Sequence, residues 1–204
     1  MSAVTLLCSP RPGGVSDTAA RFFAEGAAEA GVGMRPVALR DYSIQPCTGC
    51  RKCAPPPHSC RIEVSTACRP DQTEEIFALL LSAPLVFIAA PVYFYALPSH
   101  FKALIDRSQR FWAAREQSPQ QRNPQNAVVA TLTAGRKRGR RLFGGSLLTL
   151  GYFLRALGAE LRQTRLLRGL EDPKDLLRRR RACACLRDLG RNWGQWAAGM
   201  RENT

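Results

Sequence analysis

The 204-residue sequence contains no internal repeat and no linker, so a single domain spanning 1–204 is expected. Its opening, "MSAVTLLCSPRPGG", has no basic stretch ahead of an apolar one and no small-residue cleavage site, which argues against secretion. Neither G-x-G-x-x-G nor G-x-x-x-x-G-K-[ST] occurs, so the dinucleotide and P-loop glycine signatures are missing. Acidic residues are scarce beside basic ones, 16 against 30, and the deficit is uneven. Residues 1–102 carry a net +1 and residues 103–204 a net +13. The excess lies in "GRKRGRR" (135–141), "LRQTRLLR" (161–168) and "RRRR" (178–181). Such a surface attracts nucleotide phosphates, an acidic protein or nucleic acid. No aromatic platform is interleaved with these arginines, which ranks nucleic acid last.

Charge is also absent from Ile76 to Ser99, a run long enough to span a bilayer. Pro84 and Pro91 divide it into thirds, and proline breaks a helix interior. The run therefore reads as a helix end, a buried strand and a loop, and no membrane span is expected.

The remaining pattern alternates strand and helix. "AVTLL" (3–7) is a buried strand, followed by a helix with apolar Ala19, Phe22, Phe23, Gly26, Ala27 and Ala30 on one face. Ser16 or Asp17 is its expected N-cap. "MRPVAL" (34–39) is a strand placed at a sheet edge by Pro36. Asp71 and Glu74 have capping-box spacing for a helix through about Ser82. "PLVFIAA" (84–90) is apolar on both faces, as a strand covered by helices requires. A helix over 97–112, a strand over 126–134, a helix over 141–157 ending at Gly158, a strand within 159–170 and a basic helix from Pro173 complete the chain. This alternation predicts an α/β, flavodoxin-like, doubly wound five-stranded parallel sheet of order 2-1-3-4-5, helices on both faces. A ligand is expected at the carboxyl ends of strands 1, 3 and 4.

Two stretches carry chemistry. "SPRPGGVSDT" (9–18) joins strand 1 to helix 1. Its glycines free backbone N–H groups, the helix start adds positive potential, and Ser9, Arg11, Ser16 and Thr18 add donors, a set suited to a phosphate monoester. "CTGCRKCAPPPHSC" places Cys47, Cys50, Cys53 and Cys60 within fourteen residues, an insertion (47–60) beside the cations Arg51, Lys52 and Arg61. In a reducing, cytoplasmic compartment such spacing points to metal or redox chemistry rather than disulfides. A 4Fe-4S cluster needs four converging thiolates, which a C-x2-C-x2-C wrap with a returning fourth cysteine supplies. Zinc, with Cys68 or His58 as an alternative ligand, and a metal-free loop remain open. Cys183 and Cys185 read as small core residues, and Cys8 and Cys68 have no assigned role.

With "PVYFYALPSHFKALIDR" (91–107) and "TAGRKRG" (133–139), the first loop resembles the three flavin loops of NADPH-dependent FMN reductase-like, flavodoxin-fold proteins. The cysteine motif is similar to that of their iron–sulfur flavoprotein branch. The resemblance runs from Ala3 to about Asp172 and leaves the basic helix of 173–204 largely outside. Cys8 stands where the family usually has glycine, and Arg69-Pro70-Asp71-Gln72 where an acidic pair is usual.

The resemblance implies FMN, its phosphate held by Ser9, Arg11, Ser16 and Thr18. It places Pro91, Val92, Tyr93 and Phe94 along the isoalloxazine edge and Ala134, Gly135 and Arg136 on a second wall. Main-chain N–H groups near the ring and a positive group near its N1–O2 edge are what such a site needs. Core packing is expected for at least one of Tyr93, Phe94 and Tyr95. The implied activity is flavin-dependent electron transfer between NADPH, NADH or a ferredoxin-like carrier and an acceptor through the 4Fe-4S cluster. The alternative is a cluster-free NAD(P)H-dependent FMN or quinone reductase. The implied partners are a second copy in a homodimer or higher homo-oligomer and an acidic electron-transfer protein.

Overall fold

The computed structural model describes residues 3–64, 70–117 and 126–202. Cys68 and the polar stretch 118–125 lie outside the described residues. Strands β1 (Ala3–Leu7), β2 (Met34–Ala38), β3 (Leu85–Pro91), β4 (Ala127–Ala134) and β5 (Glu160–Arg168) form one sheet, all neighbours parallel. Its order is β2-β1-β3-β4-β5, as the alternation predicts. β2 with Pro36 is an edge strand, the place in a sheet where proline is tolerated.

Successive residues of the central strands feed two cores. Val86 and Ile88 of β3 join Leu6, Val128 and Leu132 beneath α2 (Thr73–Ser82), α3 (Ser99–Arg107) and α5 (Gly144–Leu157). Leu85, Phe87 and Ala89 point the other way, toward α1 (Val15–Glu29) and the long C-terminal helix α7 (Arg180–Glu202). There Phe23 stacks on Phe87 with centroids 3.9 Å apart. A short helix, α6 (Pro173–Arg178), precedes α7, and α4 (Gln109–Gln117) follows α3.

The structure corrects several local expectations. The N-cap of α1 is Gly14, without a side-chain cap, because both expected caps are engaged elsewhere. Ser16 Oγ lies 3.0 Å from Thr133 Oγ1, and Asp17 accepts from Gly13 N and pairs with Arg40 at 3.0 Å. The stretch 97–112 is two helices, and at the break Ser108 Oγ donates to the Ile105 carbonyl. The basic C-terminal segment is also two helices, α6 opening with a capping box between Asp172 and Asp175. Cys183 is buried as expected, but Cys185 is exposed, since neighbours two apart on a helix face different directions. Among the described residues no helix is long and apolar enough to cross a membrane.

The expected capping box of α2 is absent: its N-cap is Gln72. Asp71 is spent on a buried ion pair with Arg107 at 3.1 Å, both side chains 1% exposed. Burial would raise the Asp71 carboxyl, but donation from Gln45 N, Arg107 and Thr73 N outweighs it and lowers its pKa. The pair's contribution is thus full above the ordinary carboxylate value of about 4 and is lost as pH falls through the lowered folded value. Asp71→Asn leaves the Arg107 cation buried without its counter-charge. Urea unfolding at neutral pH should show a loss of about 3–5 kcal/mol, and the variant should be less sensitive to acid than the parent.

Candidate functional site

The carboxyl ends of β1, β3 and β4 open on a cleft of about 460 Å³. Seven of the expected flavin residues line it: Ser9, Arg11, Ser16, Pro91, Val92, Tyr93 and Gly135. The α1 end is built for an anion. Thr18 N is the first amide of the helix to find a carbonyl, that of Gly14 at 3.0 Å, which leaves the amides of the first turn available. Gly14, Val15 and Ser16 all border the cleft, so those amides and the positive end of a 15-residue helix face it. Ser9 is buried beside them, its hydroxyl accepting from Arg11 N at 3.1 Å.

Arg40, just beyond β2, holds this loop in place by donating to the Ser9 carbonyl and pairing with Asp17. Nothing in the sequence signals that role, since Arg40 lies 31 residues from Ser9. Cys8 fits where glycine is usual because its side chain enters the core, 1% exposed. Burial, then the Asp17 charge, pushes its thiol well above the ordinary value, so it is no nucleophile.

Four expected residues lie off the cleft lining. Thr18 Oγ1 donates back to the Gly14 carbonyl at 3.1 Å. Ala134 is buried in β4, its carbonyl accepting from Leu170 N at 3.1 Å. Arg136 Nη1 donates to the Tyr95 hydroxyl at 3.1 Å. Phe94 is fully exposed.

The aromatic trio follows a different logic from the expected core packing: Tyr93 and Tyr95 are each 39% exposed and none of the three enters the core. Tyr93 and Ala96 exchange both backbone bonds, at 3.0 and 2.9 Å, around Phe94 and Tyr95 with φ of 49° and 64°. Two left-handed non-glycine residues cost about 1–2 kcal/mol each. The turn is held by Ser146 Oγ donating to the Tyr95 carbonyl and by Arg136 on the Tyr95 hydroxyl. Val92 N also donates within the chain, to the Thr133 carbonyl at 2.7 Å. The amides of Val92 and Tyr93 are therefore engaged, and the ring end of the cleft offers fewer free main-chain donors than expected.

The opposite wall comes from Leu170, Glu171 and Asp172, after β5. The sequence reading missed it because it placed the ligand only at strands 1, 3 and 4. The signal available was Asp172-Pro173, a helix start directly after the last strand. Glu171 lies so close over Gly135 that a Cβ there would stand 2.8 Å from its Cγ.

A separate small pocket, about 20 Å³, is lined by Cys47, Cys50, Cys53 and Cys60 together with Arg61 and Arg107. All seven described cysteines are free. Hydrogen bonds, first from Lys52 N and then from Thr48, lower the exposed Cys50 thiol, with Arg61 assisting. Burial, then charge on Cys60, Cys47 and Cys50, raises Cys53, so the four sulfurs feel one another. His58 is half-buried and lies 3.1 Å from the Cys53 carbonyl through Nδ1. Among the described residues no three His, Cys, Asp or Glu side chains form a group able to hold a metal ion, so neither the expected 4Fe-4S cluster nor zinc finds an assembled ligand set there.

Comparison with known proteins places this geometry. The chain is similar in structure to a flavone reductase (TM-score 0.69, 13% identity, 98% of this chain and 64% of that one). It is also similar to an FMN-dependent NADH-azoreductase from Bacillus anthracis in complex with FMN (TM-score 0.67, 15% identity, 95% and 100%). A third likeness is to an NAD(P)H:quinone oxidoreductase from Methanothermobacter marburgensis (TM-score 0.65, 19% identity, 95% and 96%). The chain thus spans less than two thirds of the flavone reductase but nearly the whole of the other two. At these identities the likenesses show the fold. No curated protein matches the chain in sequence. The model of the NADPH-dependent FMN reductase family matches residues 1–157, which include the loop between β1 and α1, the turn after β3 and all of β4. The chain belongs to the NADPH-dependent FMN reductase family and is a flavin-dependent oxidoreductase on a flavodoxin-like sheet.

Proposed function

We propose that this chain holds FMN in the β1/β3/β4 cleft and uses it to carry reducing equivalents from NADPH or NADH to a flavin- or quinone-class acceptor. The observation that carries the reading is the cleft itself: an open helix N-terminus, two buried serine hydroxyls and Arg11 at one end, and the Pro91–Tyr93 edge at the other. When bound, FMN supplies a centre that takes up a hydride and returns electrons in pairs or singly. Ser9, Ser16, Arg11 and the first amides of α1 hold the phosphate. Pro91, Val92 and Tyr93 line one edge of the ring site, and Gly135, without a side chain, leaves room at the other. Leu170 and Val15 keep part of the wall dry. Glu171 and Asp172 form an acidic wall opposite the Pro91–Tyr93 edge. Exposed Phe94, Leu148 and Tyr152 support docking of a second copy, and the basic C-terminal half supports an acidic protein as a further partner.

A second reading adds a 4Fe-4S cluster at Cys47, Cys50, Cys53 and Cys60. What supports it is that these four cysteines border one pocket. The pocket as it stands, about 20 Å³, is too small for a cluster, and Cys47 and Cys50 lie at the surface.

Anaerobic purification in the dark, followed by NADPH titration, tests the main reading. About one FMN per chain should be released on denaturation, and the flavin band should bleach on NADPH addition. A colourless protein that refuses FMN would overturn it. Cys47→Ser that still oxidises NADPH at the parental rate would confine the chemistry to the flavin.

A further inference from the structure

The fold brings the basic runs "GRKRGRR" and "RRRR" to one place. Beside the cleft lies a second hollow of about 460 Å³, lined by the cations Lys137, Arg178 and Arg179 and the acids Glu171 and Asp175. It shares Gly135 and Glu171 with the cleft, so the two spaces adjoin. Lys137 comes from the loop after β4, Arg178 ends α6 and Arg179 follows it. Gly169, with φ of 63°, lets two of them approach: a Cβ there would stand 2.8 Å from Lys137 Cγ and 3.3 Å from Arg179 Nη2. Arg179 is held still by donating to the Arg168 carbonyl at 2.7 Å and the Gly169 carbonyl at 2.8 Å. Those bonds leave further N–H groups of its guanidinium for a ligand.

The acids beside these cations do not match them. Asp175 Oδ2 already accepts from the amides of Glu171 and Asp172, both at 3.1 Å. Its Oδ1 lies 3.9 Å from Arg178 Nη1, and the Arg178 side chain is 79% exposed, so that pair is worth little. Lys137 forms no ion pair among the described residues. A recess with an excess of one sign draws in the opposite charge, and lysine and arginine together suit a phosphate monoester. A nicotinamide donor brings its reacting ring to the flavin cleft, and its adenosine end extends into neighbouring space. NADPH differs from NADH only by a phosphate at that end, on the adenosine 2′ position.

We propose that Lys137 and Arg178, with Arg179 as the fixed member, form a subsite for the adenosine 2′-phosphate of NADPH and make this chain select NADPH over NADH. This rests on the reading of the cleft as a flavin site. An arginine beside a dinucleotide site is a general means of accepting a 2′-phosphate. Both arginines lie beyond the 1–157 family match, so the selection belongs to this chain's own C-terminal segment. Glu171, at the boundary of the two hollows, is an acceptor for ribose hydroxyls.

The test uses the chain loaded with FMN, beside Lys137→Ser/Arg178→Ser. Both side chains are exposed, so the fold should survive, and Arg179 stays because it holds the loop after β5. The parent should show a higher kcat/KM with NADPH than with NADH. The double variant should lose about ten- to a hundredfold of that ratio, chiefly through a raised KM for NADPH, at unchanged FMN content. Arg162→Ser/Arg165→Ser removes the same charge from β5, outside both hollows, and should keep the parental ratio. Calorimetry with 2′,5′-ADP reads the subsite without turnover: it should bind the parent about tenfold or more tighter than 5′-AMP and lose that advantage in Lys137→Ser/Arg178→Ser. A parent indifferent between NADPH and NADH, or a Lys137→Ser/Arg178→Ser protein with the parental ratio, overturns the proposal. So does inorganic phosphate that binds as tightly as 2′,5′-ADP, the mark of a general anion patch. A chain that refuses FMN yet binds 2′,5′-ADP through these residues strikes the flavin reading and leaves the subsite standing. A chain that takes FMN and ignores 2′,5′-ADP does the reverse.

Discussion

Gly190→Ala should lower the stability of the folded chain by about 3 kcal/mol or more, the upper range of overpacking costs. Gly190 is where α7 crosses α1. A Cβ at that position would stand 1.9 Å from the Phe23 carbonyl oxygen and 2.8 Å from its carbon. Both obstacles are backbone, so no side chain can swing aside. The crossing is reciprocal: a Cβ on Gly26 would stand 1.8 Å from the Arg187 carbonyl oxygen. Alanine is worth about 1 kcal/mol more than glycine in a helix interior, so the expected loss runs against propensity. Gly151 on α5 is the control, since a Cβ there meets nothing within 4 Å. Gly151→Ala should be neutral or stabilising by up to about 1 kcal/mol. Urea unfolding of the three proteins decides. If Gly190→Ala unfolds like the parent, α7 is not seated on α1 as described. The result bears on domain extent, because α7 lies beyond the 1–157 family match. The ion pairs along this seam, Arg187 with Glu25 and Arg191 with Glu29, are each about 40% exposed and cannot replace the lost close approach.

Arg11→Glu should weaken FMN binding by about a hundredfold while leaving the fold intact. Arg11 is exposed at the cleft, and only its backbone takes part in the loop's hydrogen bonding, on either side of Ser9 Oγ. Removing a charge-assisted bond to phosphate costs about 1.5–3 kcal/mol, and each 1.4 kcal/mol is tenfold in affinity. The new carboxylate adds repulsion that salt screens, so the deficit should shrink between low and high ionic strength. Quenching of flavin fluorescence on titration measures it. Thr18→Ala is the contrast: its hydroxyl is occupied by the Gly14 carbonyl, so its effect should be several-fold smaller. Equal affinities for Arg11→Glu and the parent would place the phosphate elsewhere. Lysine at position 11 should keep most of the affinity, because the charge survives and only the fork is lost.

These outcomes separate what was legible in the sequence from what was not. The apolar run of β3, flanked by helical periodicity on both sides, announced a buried parallel strand before any contact was known. Gly158 announced the end of α5, and its φ of 74° with bonds to Arg155 and Leu154 carbonyls bears that out. That Ser9, Arg11 and Ser16 border the cleft was legible because a loop between strand 1 and helix 1 opens at the carboxyl end of the sheet. The helix starts were misread for one shared reason. Asp17, Ser16 and Asp71 are competent caps, but Arg40, Thr133 and Arg107 offer each a better partner from 23, 117 and 36 residues away.

By itself the sequence determined the strand order, the two helical layers and the chain segments that meet at the cleft, because hydrophobic period and chain alternation are local properties with few topological solutions. Only the tertiary structure decided that Phe94 points to solvent, that Glu171 closes over Gly135, and that Asp71 and Arg107 meet as a buried ion pair. Those are facts of distance between elements, fixed by close packing after the elements form, and no periodicity carries them.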